Sequence, residues 1–333
     1  MNRIYENILT AIGNTPLIKL RGPSELTGCN ILGKAEFLNP GGSIKDRAAL
    51  AIISDAEKKG IISKNGTIVE GTAGNTGIGL TLIGNAKGYK TIIIMPETQT
   101  KEKIDTLVSM GAHVKLVPAK PYKDSENYVK ISSRIAKELS NDNNQGVLWA
   151  NQFDNIANHI GHYNTTGQEI WNQTNGNIDG FVCSSGTGGT IAGVGKALKE
   201  KNKNIKIILS DPKGSALFKY IKSKELISEG SSITEGIGSS RITSNFEIAP
   251  IDDSYSIEDK EALDILFNLM EKEGLFLGTS SGINVAGSIR FAKEIGPGKT
   301  IVTVLCDKAD RYSSKIFNKK FLLEKNLPFP SWL

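Results

Sequence analysis

Short β-branched and aliphatic runs alternate with longer amphipathic stretches along most of this chain, and that alternation confines it to parallel strands joined by crossover helices. The expected fold class is α/β. Strand-like runs fall at 67–70, 91–95, 113–117, 146–150, 180–183, 205–209 and 300–305. Several are apolar on both faces, as strands inside a parallel sheet are. Stretches with a period near 3.6 cover 44–59, 75–86, 101–110, 125–139, 156–172, 191–200, 257–273 and 284–294. The strand and helix repeat forms one compact unit before about residue 151, and a second unit follows. With no repeat of 20 to 50 residues and no Pro/Ser linker, the two halves are expected to pack closely around a cleft that holds the active site.

Composition narrows the function. Forty basic and thirty-five acidic residues give a net charge of +5 without a basic tail or patch, which does not favour nucleic acid. Three well-separated cysteines, Cys29, Cys183 and Cys306, suit a reducing compartment, and a cytoplasmic protein is expected. No apolar run reaches the roughly 18 residues of a membrane span, and Arg3, Glu6 and Asn7 interrupt the N-terminal segment, so neither a span nor a signal peptide is expected.

Thirty-five glycines against eleven prolines put weight on tight turns, and three glycine-rich segments carry the chemistry. In Asn39-Pro40-Gly41-Gly42-Ser43-Ile44-Lys45-Asp46-Arg47, Ser43 is placed to cap the helix that follows. A lysine in the first helical turn sits against the positive end of the dipole, which disfavours its charged form and favours a nucleophilic amine; a solvated turn lysine is the plainer alternative. Glu70-Gly71-Thr72-Ala73-Gly74-Asn75-Thr76-Gly77 lies between strand and helix, where bare backbone amides suit a carboxylate. Ser184-Ser185-Gly186-Thr187-Gly188-Gly189-Thr190 follows another strand and suits a phosphate. A dinucleotide fingerprint, with Asp211 as the ribose acid, fails because Ile191 stands where the third glycine belongs. A Walker loop fails as well, since Thr190 and Lys293 occupy the first-glycine positions before Gly195-Lys196 and Gly298-Lys299. A monophosphate cradle is left.

These segments, with Ile12-Gly13-Asn14-Thr15-Pro16-Leu17, Asn151-Gln152-Phe153, Glu235-Gly236-Ile237-Gly238 and Gly278-Thr279-Ser280-Ser281-Gly282, resemble the pyridoxal-phosphate enzymes of the tryptophan synthase β-subunit fold, and among them the cysteine synthases and cystathionine β-synthases. The resemblance covers nearly the whole chain. It implies two three-layer αβα domains around mainly parallel twisted sheets: a smaller mobile domain over 46–151, and a larger phosphate-binding domain of 1–45 together with 152–333. It further implies that Lys45 forms the Schiff base and shuttles the α-proton, that Asn75 holds the ring hydroxyl, that Gly186, Thr187, Gly188, Gly189 and Thr190 hold the phosphate, and that Ser280 faces the pyridine nitrogen. Thr72, Ala73, Gly74, Asn75 and Thr76 would grip the substrate carboxylate, with Gln152 reaching it from the domain junction.

The implied reaction replaces the acetoxy group of O-acetylserine by sulfide through an aminoacrylate, giving cysteine. The alternatives are serine plus homocysteine, or another activated serine such as O-phosphoserine. A dehydratase, and a non-catalytic partner in an acetyltransferase complex, are disfavoured by the retained motifs. A homodimer is the family's expectation, and a complex with serine acetyltransferase is an option it leaves open. Ala73 departs from the serine of most cysteine synthases, and Cys306-Asp307-Lys308-Ala309-Asp310-Arg311-Tyr312 departs from a serine-rich turn, which places Cys306 and Asp307 near the cofactor ring edge. Arg311 and Tyr312 either shape the pocket or pack. His159 and His162, three apart on a helix, lack the companions of a metal site, and no metal is expected.

Overall fold

Two sheets organise the chain in the computed structural model, which describes residues 4–141 and 144–333 and so leaves Arg3 outside. The smaller sheet is parallel throughout, with β3 (Thr67–Gly71), β4 (Lys90–Pro96), β5 (His113–Val117) and β6 (Val147–Trp149) in the order β5-β4-β3-β6. The larger sheet runs β1-β2-β10-β7-β8-β9, with β1 (Leu17–Lys19), β2 (Asn30–Ala35), β7 (Gly180–Cys183), β8 (Lys206–Pro212), β9 (Asp253–Ile257) and β10 (Thr300–Leu305). Only the β1–β2 pair in it is antiparallel.

Every residue of β3, β7 and β10 is buried, the signature of strands covered by helices on both faces. Ile68, Ile52, Ile53, Leu80 and Ile83 knit β3 to the Lys45–Lys58 and Asn75–Lys87 helices, each contributing about 1.5–3 kcal/mol of burial. At the edge, β5 exposes His113, Lys115 and Leu116.

Four differences from the sequence reading have local causes. The 156–172 stretch is not one helix: Ala157–His162 and Gln168–Gln173 flank a π-helical turn at Tyr163–Gly167. Close packing accompanies the bulge, since a Cβ on Gly167 would lie 2.5 Å from the Ala197 Cβ and one on Gly161 2.5 Å from the Ala51 Cβ. Strands β1, β2 and β9 carry polar residues that hide their pattern, among them Lys34, which is fully buried. Ile257 ends β9, and the helix begins at Asp259. Finally, Ile44 takes the cap position before Lys45; the Ser43 hydroxyl accepts only the Lys45 N–H, at 3.2 Å.

A buried ionic cluster anchors the start of the Lys45–Lys58 helix. The Arg47 guanidinium donates to both oxygens of Glu36 (Nε at 2.7 Å, Nη2 at 2.8 Å) and to both of Glu169 (2.7 Å each). Lys34 Nζ reaches Glu169 at 2.7 Å. Burial pushes Glu169 upward, but Arg47 and Lys34 overcome it and hold the carboxyl at about 2.

Candidate active site

The C-terminal ends of β3 and β7 face a common cavity of about 400 Å³ that draws its walls from both sheets. Open parallel sheets favour this location, because the loops after the strands and the N-termini of the following helices converge there. Lys45 enters it from the first residue of its helix. That segment is laid against the end of β10, with the Ile44 N–H donating to the Cys306 carbonyl at 3.0 Å and Ser43 bridging Asp307.

Opposite stands the loop after β3. Thr72, Ala73, Gly74, Asn75 and Thr76 all line the cavity. Gly74 has φ +134, open to glycine, and the Asn75–Lys87 helix starts directly after it, so the free first-turn N–H groups and the positive helix end meet the cavity. Thr76 Oγ1 donates to Gln152 Oε1 at 2.6 Å, which pins Gln152 at the junction between the sheets. Beneath it Glu70 is fully buried, and burial pushes its carboxyl up to about 8 against hydrogen bonds from Gln152 and the Asn151 backbone.

The loop after β7 supplies Gly186 and Thr187 to the wall, while Gly188, Gly189 and Thr190 stand behind them at the start of the Gly189–Lys201 helix. No side chain fits at its glycine positions. A Cβ on Gly186 would lie 2.2 Å from the Gly236 carbonyl oxygen, and one on Gly189 2.1 Å from Asn158 Oδ1. Gly188 has φ +87, the left-handed region. Asn158 Nδ2 donates to Thr187 Oγ1 at 3.0 Å, and Thr190 Oγ1 pairs with His162 Nε2 at 3.3 Å. Ser185 Oγ is buried without a partner. Ser280, on the first turn of the Thr279–Ile295 helix, completes the floor beside Cys306, whose thiol is pushed up to about 11 by burial.

The two histidines that tempted a metal reading are engaged separately, His159 Nδ1 with Asn245 Oδ1 at 2.8 Å and His162 Nδ1 with Thr166 Oγ1 at 2.9 Å. Burial holds His162 down at about 3, so it is neutral. Of the 306–312 turn, Cys306 and Tyr312 line the cavity, whereas Asp307 and Arg311 bond Asn75 on its wall.

Lys103, which carried no sequence signal in the charged Lys101-Glu102-Lys103 run, is a further wall residue. It is only 2% exposed, with Nζ 2.6 Å from Glu235 and 4.1 Å from the centroid of the Tyr312 ring. In the orientation its neighbours require, the Gln99 amide donates to the same Glu235 at 3.1 Å and to the Ala73 carbonyl at 2.9 Å. Only the fold could reveal this cation, because an amphipathic helix normally turns such lysines to water.

The site and fold define a class. The chain belongs to the pyridoxal-phosphate dependent enzymes, the family that matches residues 8–307. Its relatives include cysteine synthase 1 of Neurospora crassa, 50% identical over 329 residues that cover 97% of this chain and 86% of that protein. The cysteine synthase of Dictyostelium discoideum is 44% identical, over 97% of this chain and 87% of that one. Among solved structures, a hydrogen sulfide-producing enzyme from Fusobacterium nucleatum superposes with a TM-score of 0.83 at 34% identity, covering 93% of this chain and 100% of that one. Within the class, the chain belongs to the cysteine synthase and cystathionine β-synthase branch.

Proposed function

We propose that this chain is a cysteine synthase that replaces the acetoxy group of O-acetyl-L-serine by sulfide. The observation that carries the reading is the single cavity in which Lys45, the 72–76 loop, Gln152, Gly186, Thr187 and Ser280 meet. The residues fit pyridoxal phosphate: a glycine-rich loop at a helix start, with no room for a Cβ at Gly186, Gly188 or Gly189, suits its phosphate, and a lysine lines the same cavity. When bound, the cofactor supplies the electron sink that lets an α-proton and a β-leaving group depart.

The protein's own part is positioning and proton transfer. Gly186 to Thr190 hold the phosphate through backbone N–H groups and the threonine hydroxyls. Ser280 offers a neutral hydroxyl to the ring nitrogen, and the Nδ2 of Asn75 binds the ring hydroxyl. Lys45 Nζ would hold the cofactor and would accept and return the substrate α-proton. The substrate carboxylate lies on the first-turn amides of the Asn75–Lys87 helix, flanked by Thr72 and Thr76, with Gln152 behind. Ala73 contributes only its backbone, its carbonyl already accepting from Gln99.

Residues 46–151 act as the smaller unit that closes on 1–45 and 152–333 and excludes water. The four strands of the smaller sheet all fall within the first span, and those of the larger sheet outside it, which supports that division. The reading carries with it a homodimer in the cytoplasm; among the described residues no helix is long and apolar enough to cross a membrane.

The test is a spectral titration of the yellow holoenzyme. O-acetylserine should perturb the visible band and sulfide should restore it with release of cysteine, while Lys45→Ala should abolish turnover. Turnover with serine and homocysteine alone would instead make the chain a cystathionine β-synthase.

A further inference from the structure

Asn75 is held at both ends of its amide. Its Nδ2 donates to Asp307 Oδ2 at 2.6 Å, and its Oδ1 accepts from Arg311 Nη1 at 2.6 Å. An amide side chain can usually be turned by 180° with little consequence. Here it cannot, because a carboxylate only accepts and a guanidinium only donates. The turned amide would set two acceptors against each other and two donors against each other, forfeiting two charge-assisted bonds, a bias of at least about 100-fold. One Nδ2 hydrogen is thereby committed to Asp307. The other is left to the cavity, whose wall Asn75 forms.

The clamp is itself fixed. Asp307 is 1% exposed, the Tyr312 hydroxyl donates to the same Oδ2 at 2.6 Å, and the Gly278 N–H donates to its carbonyl at 3.0 Å. Arg311 is tied to the Gly41 carbonyl. Asn75 follows a strand of the smaller sheet, whereas Asp307 and Arg311 follow β10 of the larger one, so the clamp spans the cleft.

We propose that Asp307 and Arg311 are positioning residues that lock the Asn75 amide in the one orientation that presents an N–H to the ring hydroxyl of the cofactor. This rests on the assignment of that hydroxyl to Asn75. Asp307 acts through the acceptor it offers, and its other oxygen, Oδ1, is buried with no partner, so an amide in its place keeps the one oxygen that matters.

The experiment compares wild type, Asn75→Ala, Asp307→Ala, Asp307→Asn and the double variant Asn75→Ala/Asp307→Ala. Apoprotein is titrated with pyridoxal phosphate, and the absorption bands of the loaded protein report where the ring-hydroxyl proton sits. Asp307→Ala should weaken cofactor binding about 10-fold and shift the bands in the direction Asn75→Ala does. The double variant should bind no more weakly than Asn75→Ala alone. Asp307→Asn should restore the wild-type bands.

Multiplicative losses in the double variant, an unshifted Asp307→Ala spectrum, or an Asp307→Asn as impaired as Asp307→Ala would each overturn the inference. Should Asp307→Ala fail to fold by circular dichroism, Arg311→Met carries the same comparison from the other end of the amide. If Asn75→Ala itself binds and absorbs as wild type, it is the assignment of Asn75 to the ring hydroxyl that fails.

Discussion

Replacing Arg47 by methionine removes the cation that holds one buried and one half-buried carboxylate together, two residues along the helix from Lys45. Arg47 is 3% exposed, Glu36 is fully buried and Glu169 is 14% exposed. Without it Glu36 keeps Thr15 and Asn39 as donors and Glu169 keeps Lys34, leaving two carboxylates against one buried cation. Breaking a buried pair from one side costs about 3–5 kcal/mol. Arg47 and Lys34 together hold the Glu169 carboxyl at about 2 against the upward push of burial, so the variant loses part of that depression and keeps the part Lys34 supplies.

At about 2.1 cal/mol/K per residue, unfolding this chain carries an entropy of about 0.7 kcal/mol/K, so a loss of about 4 kcal/mol lowers Tm by about 6 °C. The assay is thermal and urea unfolding of the apoprotein from pH 8 down to pH 3. A carboxyl whose folded value is depressed stabilises fully above 4.5 and loses that contribution as pH falls toward 2, so the gap between wild type and Arg47→Met should narrow below about pH 4.5. Arg47→Lys, with charge but no fork, should fall between them. A variant within about 1 kcal/mol of wild type at pH 7, or a gap that widens in acid, would refute the reasoning.

Two further outcomes are expected. Gly186→Ala places a methyl 2.2 Å from the Gly236 carbonyl with backbone on both sides, so the loop must move; cofactor affinity, read by titrating the apoprotein, should drop at least about 10-fold. The Cys306 thiol, pushed up to about 11 by burial, should resist a thiol reagent at pH 8 in the native protein, as should buried Cys29 and Cys183, with three equivalents reacting after denaturation. Rapid labelling of one native thiol at Cys306 would contradict a thiol pushed up by its surroundings.

Much of the scaffold was legible in the chain because its information is local. Strands at 113–117, 180–183 and 300–305 are found with the expected bounds: Gly180–Cys183 and Thr300–Leu305 are buried along their whole length and print as short, mainly apolar and β-branched runs, while the edge strand His113–Val117 shows its exposed side in His113 and Lys115. The glycine loops were legible for a related reason: a backbone that must approach another backbone or a ligand admits no Cβ, and Gly186 and Gly189 stand where the contact would be 2.2 and 2.1 Å. What the sequence could not determine is everything set by the meeting of distant segments. Lys34, Arg47 and Lys103 carry no local sign of burial, yet each is buried against a carboxylate more than 120 residues away along the chain, which only the packing of one element on another brings within 3 Å. The π turn at Tyr163–Gly167 and the Asn75 clamp are of the same kind. Periodicity and turn chemistry act over a few residues and so are written in the sequence, whereas charge pairing across the cleft is a property of distances that exist only once both sheets have folded.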